Sequence, residues 1–182
     1  EEFRGLLLTY QGMKPLDAEV HSSLADWVKR GGVLVVGADD SDPFNSVRDW
    51  WNSGEFPYAT PREHLFKQLG FDKMASRPES SMQTDWRCGK GRVMWIRKSP
   101  VQFAGSADGD TQVIAVAKQA AEWAKLKWRE TNYLLLRRGP YVIAAGLDES
   151  VSGEPKILRG RFVNLFDAGL RIQKEIRLEP GG

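Results

Sequence analysis

The chain has 182 residues, of which 41% are hydrophobic and 27% charged, and its 26 basic and 24 acidic side chains leave a net charge of only +2. That is enough for one ordinary domain, or a small domain with a second partial one. It contains no basic block to hold nucleic acid and no apolar run long enough to span a membrane. A single cysteine, Cys88, excludes an internal disulfide and any cysteine-based metal cluster.

Residues 3 to 10 open with a short apolar run, Leu6-Leu7-Leu8, that lacks clean alternation, as expected of a strand covered on both faces. A strand this close to residue 1 suggests a piece of a longer polypeptide. Leu16, Val20, Leu24, Trp27 and Val28 then recur at helical spacing and predict an amphipathic helix, with Asp17 and Glu19 in its first turn and Lys29 and Arg30 in its last. Gly31-Gly32 stops that helix, and Val33-Leu34-Val35-Val36 follows as a second buried strand. Two such strands joined by one helix predict a right-handed parallel crossover.

The second strand runs into an acidic knot, Asp39-Asp40-Ser41-Asp42-Pro43. Phe44, Val47, Trp50 and Trp51 predict a short helix after it, and His64 to Gly70 predict another. Residues 72 to 81 read as polar and irregular. Met82 to Trp86 and Arg92 to Ile96 read as strands around a Cys88-Gly89-Lys90-Gly91 turn. A glycine-containing loop at 104 to 109 leads into a long helix faced by Val113, Val116, Ala117, Ala120, Ala124 and Trp128, with Asp110 as its cap. Near residue 130 the pattern becomes all-β: a hairpin around Arg137-Arg138-Gly139-Pro140, then strands at 157 to 166 and 172 to 178. The expected organisation is an α/β domain over 1–129 and a small sandwich-like β unit over 130–182.

Open α/β sheets bind ligands outside the carboxyl ends of their strands, which is where the acidic knot falls. Asp42, followed by Pro43, reads first as a helix cap. Asp39 and Asp40 remain as candidate ligand residues, suited to a hard cation or to sugar hydroxyls, although the spacing of a calcium loop is absent. Trp50, Trp51, Phe56 and Tyr58 form an aromatic group beside them. Adjacent helical positions cannot both face inward, so one of Trp50 and Trp51 should be partly exposed and able to anchor a partner or a sugar. Cys88 reads as part of a hairpin turn, since neither His21 nor His64 stands at a triad spacing from it. Gly89-Lys90-Gly91 lacks the rest of a phosphate loop. No catalytic residue, metal site or cofactor is expected.

Several segments together resemble the class I glutamine amidotransferase-like domain over residues 3 to about 128. They are Leu6-Leu7-Leu8, the helix end Leu24-Ala25-Asp26-Trp27-Val28-Lys29-Arg30-Gly31-Gly32, Val33-Leu34-Val35-Val36, and Gly89-Lys90-Gly91-Arg92-Val93 ahead of an apolar strand. A long closing helix before an all-β unit completes the likeness. The resemblance is greatest to the version found inside glycoside hydrolases, such as the trimerisation domain of certain β-galactosidases, which follows a catalytic barrel and precedes a small β-domain. The chain departs from true amidotransferases in having neither a Gly-x-Cys-x-Gly elbow nor a following His-x-Glu.

The resemblance implies a flavodoxin-like or amidotransferase-like, mostly parallel sheet with flanking helices, plus a small C-terminal all-β unit. It also implies a non-catalytic role in assembling subunits or shaping a glycan site, with Asp39, Asp40, Trp50, Trp51 and Tyr58 as the contact residues. The implied partners are the remainder of the polypeptide, identical subunits or a glycan, and neither nucleic acid nor membrane. A secreted or periplasmic compartment suits such a parent. Two other classes stay open: a hydrolase that uses Asp39 and Asp40 with their pKa values split by environment, and a stand-alone sugar-binding module built on the aromatic loop.

Overall fold

The structure, a computed structural model, describes residues 3–38, 40–71, 82–148 and 152–181. The polar segment 72–81 and the candidate residue Asp39 therefore lie outside the described residues. The chain divides into two compact units, Glu1–Trp128 and Arg129–Gly182.

In the first unit, β1 (Gly5–Leu8) and β2 (Val33–Gly37) are parallel, with Leu6 opposite Leu34, and α1 (Glu19–Lys29) connects them. After α2 (Pro61–Gln68), β3 (Gln83–Cys88) and β4 (Gly91–Ile96) form an antiparallel hairpin. β4 also pairs in parallel with β2, setting Val33 against Arg92. The sheet order is β1-β2-β4-β3, mostly parallel with one antiparallel edge. Two further helices, α3 (Pro100–Ala104) and α4 (Gly109–Trp123), close the unit.

β2 and β4 are packed on both faces, whereas β1, expected to be covered, leaves Leu6 and Leu7 exposed. Leu34 and Val36 of β2 join Val28 of α1 and Leu65 and Phe66 of α2 in one cluster. Val33 and Val35 join Met94, Ile96, Ala120 and Ala124 in the other. Coverage on both sides is why β2 reads as an unbroken aliphatic run. It also makes the unit the part of the chain with a conventional core.

Several local expectations are corrected. The buried stripe of α1 is His21, Ala25 and Val28, whereas Val20 is half-exposed and Leu16, 91% exposed, precedes the helix. Asp17 also precedes it and accepts hydrogen bonds from the amides of Glu19 and Val20. The stripe rotates by one position because His21 has buried polar partners that Val20 could not use. The single helix expected from Phe44 to Trp51 is instead two 3-10 turns, Pro43–Ser46 and Trp50–Asn52. Asp49 divides them: its side chain accepts from the Trp50 amide while Asn52 reaches back to the Asp49 amide, a reciprocal cap that starts a new turn.

α2 begins at Pro61 rather than His64, capped by Thr60, whose Oγ1 accepts from the Glu63 amide. α3 was not expected, although Ser99-Pro100 and the reciprocal Ser99–Gln102 cap mark its start. On α4, Asp108 holds the cap position and Asp110 sits in the first turn. Trp128 lies beyond the last helical residue, and Trp123 packs toward the core in its place.

The second unit consists of two antiparallel hairpins, β5 (Tyr133–Arg138) with β6 (Tyr141–Gly146), and β7 (Lys156–Val163) with β8 (Ile172–Leu178). An irregularity between Arg159 and Phe162 bends β7, and Gly146 bridges to Pro180. Among the described residues of this unit, Leu178 is the one buried hydrophobic side chain.

Candidate functional site

The strand-end region of the first unit is built from four pieces: the exit of β1, α1, the two 3-10 turns and α2. At its centre lie the only two histidines of the chain, His21 and His64, both buried. Their Nδ1 atoms are 2.8 Å apart, and their rings stack at 5.1 Å between centroids. His21 Nε2 lies 2.6 Å from the Tyr10 hydroxyl, and His64 Nε2 lies 3.3 Å from the Gln68 amide nitrogen. The result is one hydrogen-bonded line, Tyr10–His21–His64–Gln68, running from β1 to α2 through the core. Its polar atoms are satisfied along the way, as burial demands.

Aromatic rings roof this line. Trp50 meets His21 and His64 edge-on at 5.4 and 5.2 Å, and Phe56 and Tyr58 each meet His64 at 5.2 Å. Trp51 lies beneath, 1% exposed, and its indole N–H donates to the Asn45 carbonyl. The Trp50 indole donates to the Pro15 carbonyl in the stretch between β1 and α1. Of the two adjacent tryptophans one is thus fully buried and the other partly so, and the partly exposed Trp50 spends its ring on the histidines.

Burial sets the ionisation of the line. Desolvation lowers the His21 pKa to about 4, helped by the charge of His64 and opposed by Asp17. It also lowers that of His64, with Lys67 acting in the same direction. Burial raises the Tyr10 pKa. All three groups are therefore neutral at pH 7.

The acidic residues stand just outside. Asp40 adopts a left-handed backbone (φ 59°) and places both carboxylate oxygens against Arg62, whose Nε donates to each at 2.9 Å and whose NH2 pairs with one of them. Arg62 in turn lies 4.5 Å over the Trp95 ring and 4.8 Å over Phe66. Asp42 caps the first 3-10 turn through the Phe44 amide and also accepts from Lys14 Nζ (2.7 Å) and the Gly12 amide (2.8 Å). Those bonds, led by that of Lys14, hold its pKa at about 2. A carboxylate held this low cannot serve as a general acid near neutral pH.

Compared with protein-family models, curated proteins and solved structures, the chain matches none.

The space left at the strand ends, lined by Thr9, Gln11, Lys14, Asp40, Asp42 and Arg62, is about 20 Å³, room for a single water molecule. Among the described residues no three His, Cys, Asp or Glu side chains are grouped so as to hold a metal ion, and no helix is long and apolar enough to cross a membrane. Cys88 is buried at the foot of the β3–β4 hairpin, and burial pushes its thiol pKa up, away from the thiolate a nucleophile requires.

The region thus brings together Asp40, Trp50, Trp51 and Tyr58, but ties Asp40 to Arg62 and turns Trp50 and Tyr58 onto buried imidazoles. The histidines themselves carried no sequence signal. They stand 43 positions apart on two helices, and only the fold makes them neighbours.

On the opposite face of the sheet, a groove of about 730 Å³ runs between the ends of β1, β2 and β4 and helices α3 and α4. Leu7, Val35, Ile96, Phe103, Val113 and Val116 line it. Leu7 is 58% exposed there.

Proposed function

We propose that the chain is a non-catalytic assembly region of a larger carbohydrate-active protein. The observation that supports this most is the state of the β5–β6 hairpin. Residues directly opposite one another share a face of a sheet. The register Leu135↔Ala144, Arg137↔Val142 puts Leu135, Val142 and Ala144 on one face. The pairs Leu136↔Ile143 and Arg138↔Tyr141 put Leu134, Leu136, Ile143 and Tyr141 on the other. Leu134, Leu135, Leu136, Tyr141, Val142 and Ile143 are all exposed.

A two-stranded hairpin is marginal in water, and one that is apolar on both faces belongs between two layers. Exposed apolar surface of this kind marks a contact site. The apolar groove beside β1 in the first unit argues in the same direction. The class of the parent protein comes from the resemblance of residues 3 to about 128 to the amidotransferase-like domain within glycoside hydrolases. The strand-end region agrees with a non-catalytic reading, since Asp40 and Asp42 are engaged by Arg62, Lys14 and main-chain amides.

Paired substitutions Leu135→Asp and Ile143→Asp place one charge on each hairpin face. The wild-type chain is expected to self-associate, or to bind the remainder of its polypeptide, in sedimentation velocity runs. The double variant is expected to sediment as a monomer and to lose that binding, with the melting transition of the first unit unchanged. A wild-type chain that stays monomeric at the highest attainable concentration, with no affinity for the rest of the polypeptide, would contradict the proposal.

A further inference from the structure

The protonation logic of the buried line restricts what acid can do to it. With the Gln68 amide nitrogen as donor, the line runs one way: His64 carries its proton on Nδ1 and donates to His21 Nδ1, and His21 donates from Nε2 to the Tyr10 oxygen; with the amide turned, every bond reverses and Tyr10 donates. Each ring holds one proton and every contact is used once. One added proton can be absorbed: placed on His64 Nε2, it needs only the half-buried Gln68 amide to turn and present its oxygen. A second has nowhere to go. It would sit on His21 Nδ1, facing the Nδ1–H of His64 across 2.8 Å, donor against donor and cation against cation.

The same two rings are what the aromatic segment rests on. Trp50, Phe56 and Tyr58 all contact His64, and Trp50 also contacts His21. The segment is also anchored by Trp51, which is buried and bonded to the Asn45 carbonyl, by Asn52 on the Asn45 and Val47 carbonyls, and by Lys67 over the Tyr58 ring. The Trp50 indole bonds to Pro15, and the Tyr58 amide closes the loop onto Trp51. We propose that the His21–His64 pair is an acid-released latch on the rings of Trp50, Phe56 and Tyr58, which stay seated with up to one added proton and lift when both imidazoles are charged, Trp51 remaining anchored in the core. Opening would uncover the imidazoles of His21 and His64. This inference does not rest on the assembly reading.

The charged and titratable groups that act on the pair come from each element packed against it. Tyr10 faces it from just beyond β1, Asp17 from ahead of α1, and Lys67 from α2, while the segment itself presents Trp50, Phe56 and the Tyr58 ring. Asp17 favours charge on His21, and Lys67 disfavours it on His64. Both histidines titrate below their ordinary range when closed and return to it when open. The open form therefore binds more protons, and acid favours opening.

Hydrogen exchange at the Trp50 indole and the Tyr58 amide, corrected for intrinsic rates, reads the opening constant between pH 7 and pH 4. Each proton taken up on opening contributes about a tenfold rise per pH unit. In the wild-type chain the slope is expected to exceed one proton while the closed line is neutral and to settle at one once the closed form has taken its own proton. His64→Asn keeps a polar amide at the Nδ1 position but cannot be charged, and should cut the slope to one or less. Nitrogen NMR of the wild-type imidazoles gives a reading that does not depend on any variant folding. Two charged rings with both reporters still protected would overturn the latch, as would an unchanged slope in His64→Asn.

Discussion

Gly91→Ala is expected to lower the melting temperature of the first unit by roughly 10–15 °C, the scale of a loss of about 4 kcal/mol. A Cβ built at Gly91 would stand 2.1 Å from the Val28 carbonyl oxygen and 2.3 Å from that of Gly32. Both are main-chain atoms at the junction of α1 and β2, so neither can swing aside as a side chain would. The contact is close because the β3–β4 turn docks on the end of α1, where the Lys90 amide donates to the Lys29 carbonyl at 2.9 Å and the Arg92 amide to Gly32. Gly89 takes a φ of 60° at the first turn position, the geometry that suits a two-residue hairpin. An alanine at 91 must either push the hairpin off α1 or shift α1 against the sheet, and each breaks the β2–β4 register. Thermal denaturation followed by circular dichroism checks this. A melting temperature within about 3 °C of wild type would mean that the helix and the hairpin are not in contact.

Trp51→Ala should cost about 3–5 kcal/mol, the range for removing a large aromatic side chain from a core. Trp51 is among the largest fully buried side chains in the chain, and its indole N–H is committed to the Asn45 carbonyl. Removing it leaves a void under the 3-10 turns and takes the shorter of two hydrogen bonds from the Asn45 carbonyl, which keeps that of the Asn52 side-chain amide at 3.3 Å. Its neighbour supplies the control. Trp50 is partly exposed and rests on the histidines, so Trp50→Ala should cost less in urea-melt stability and act mainly by loosening the cover over His21 and His64. Equal losses at the two positions would contradict the arrangement described here, as would a larger loss at Trp50.

Much of the sheet was readable because its strands are chemically simple. Val33–Val36 is aliphatic throughout because both faces are covered, and the Gly-Lys-Gly turn announces the β3–β4 hairpin. The return of β4 to lie beside β2 was not readable, since the pairing depends on contacts more than fifty residues apart. The face of α1 was misjudged for a physical reason. Hydrophobicity ranks Val20 above His21, but a histidine whose two nitrogens both find partners can be buried at the expense of an aliphatic neighbour. The starts of α2 and α3 are legible in the sequence: Thr60-Pro61 with Glu63, and Ser99-Pro100 with Gln102, are both capping patterns.

The candidate site divides in the same way. Its acidic and aromatic residues stand out in the sequence, and the structure places Asp40, Trp50, Trp51 and Tyr58 in one region. What they do there depends on Arg62, Lys14 and the histidine pair, which come from separate elements and share no spacing. An acidic cluster at a strand end signals a ligand only while its charges are unspent, and pairing is a property of the fold.

The most direct test of the assembly reading is carbene footprinting of the β5–β6 hairpin, in the isolated chain and in the full-length polypeptide that its gene encodes. Leu134, Leu135, Leu136 and Ile143 are expected to label strongly in the isolated chain and to be protected on both faces in the larger protein. Equal labelling in the two states would contradict the account.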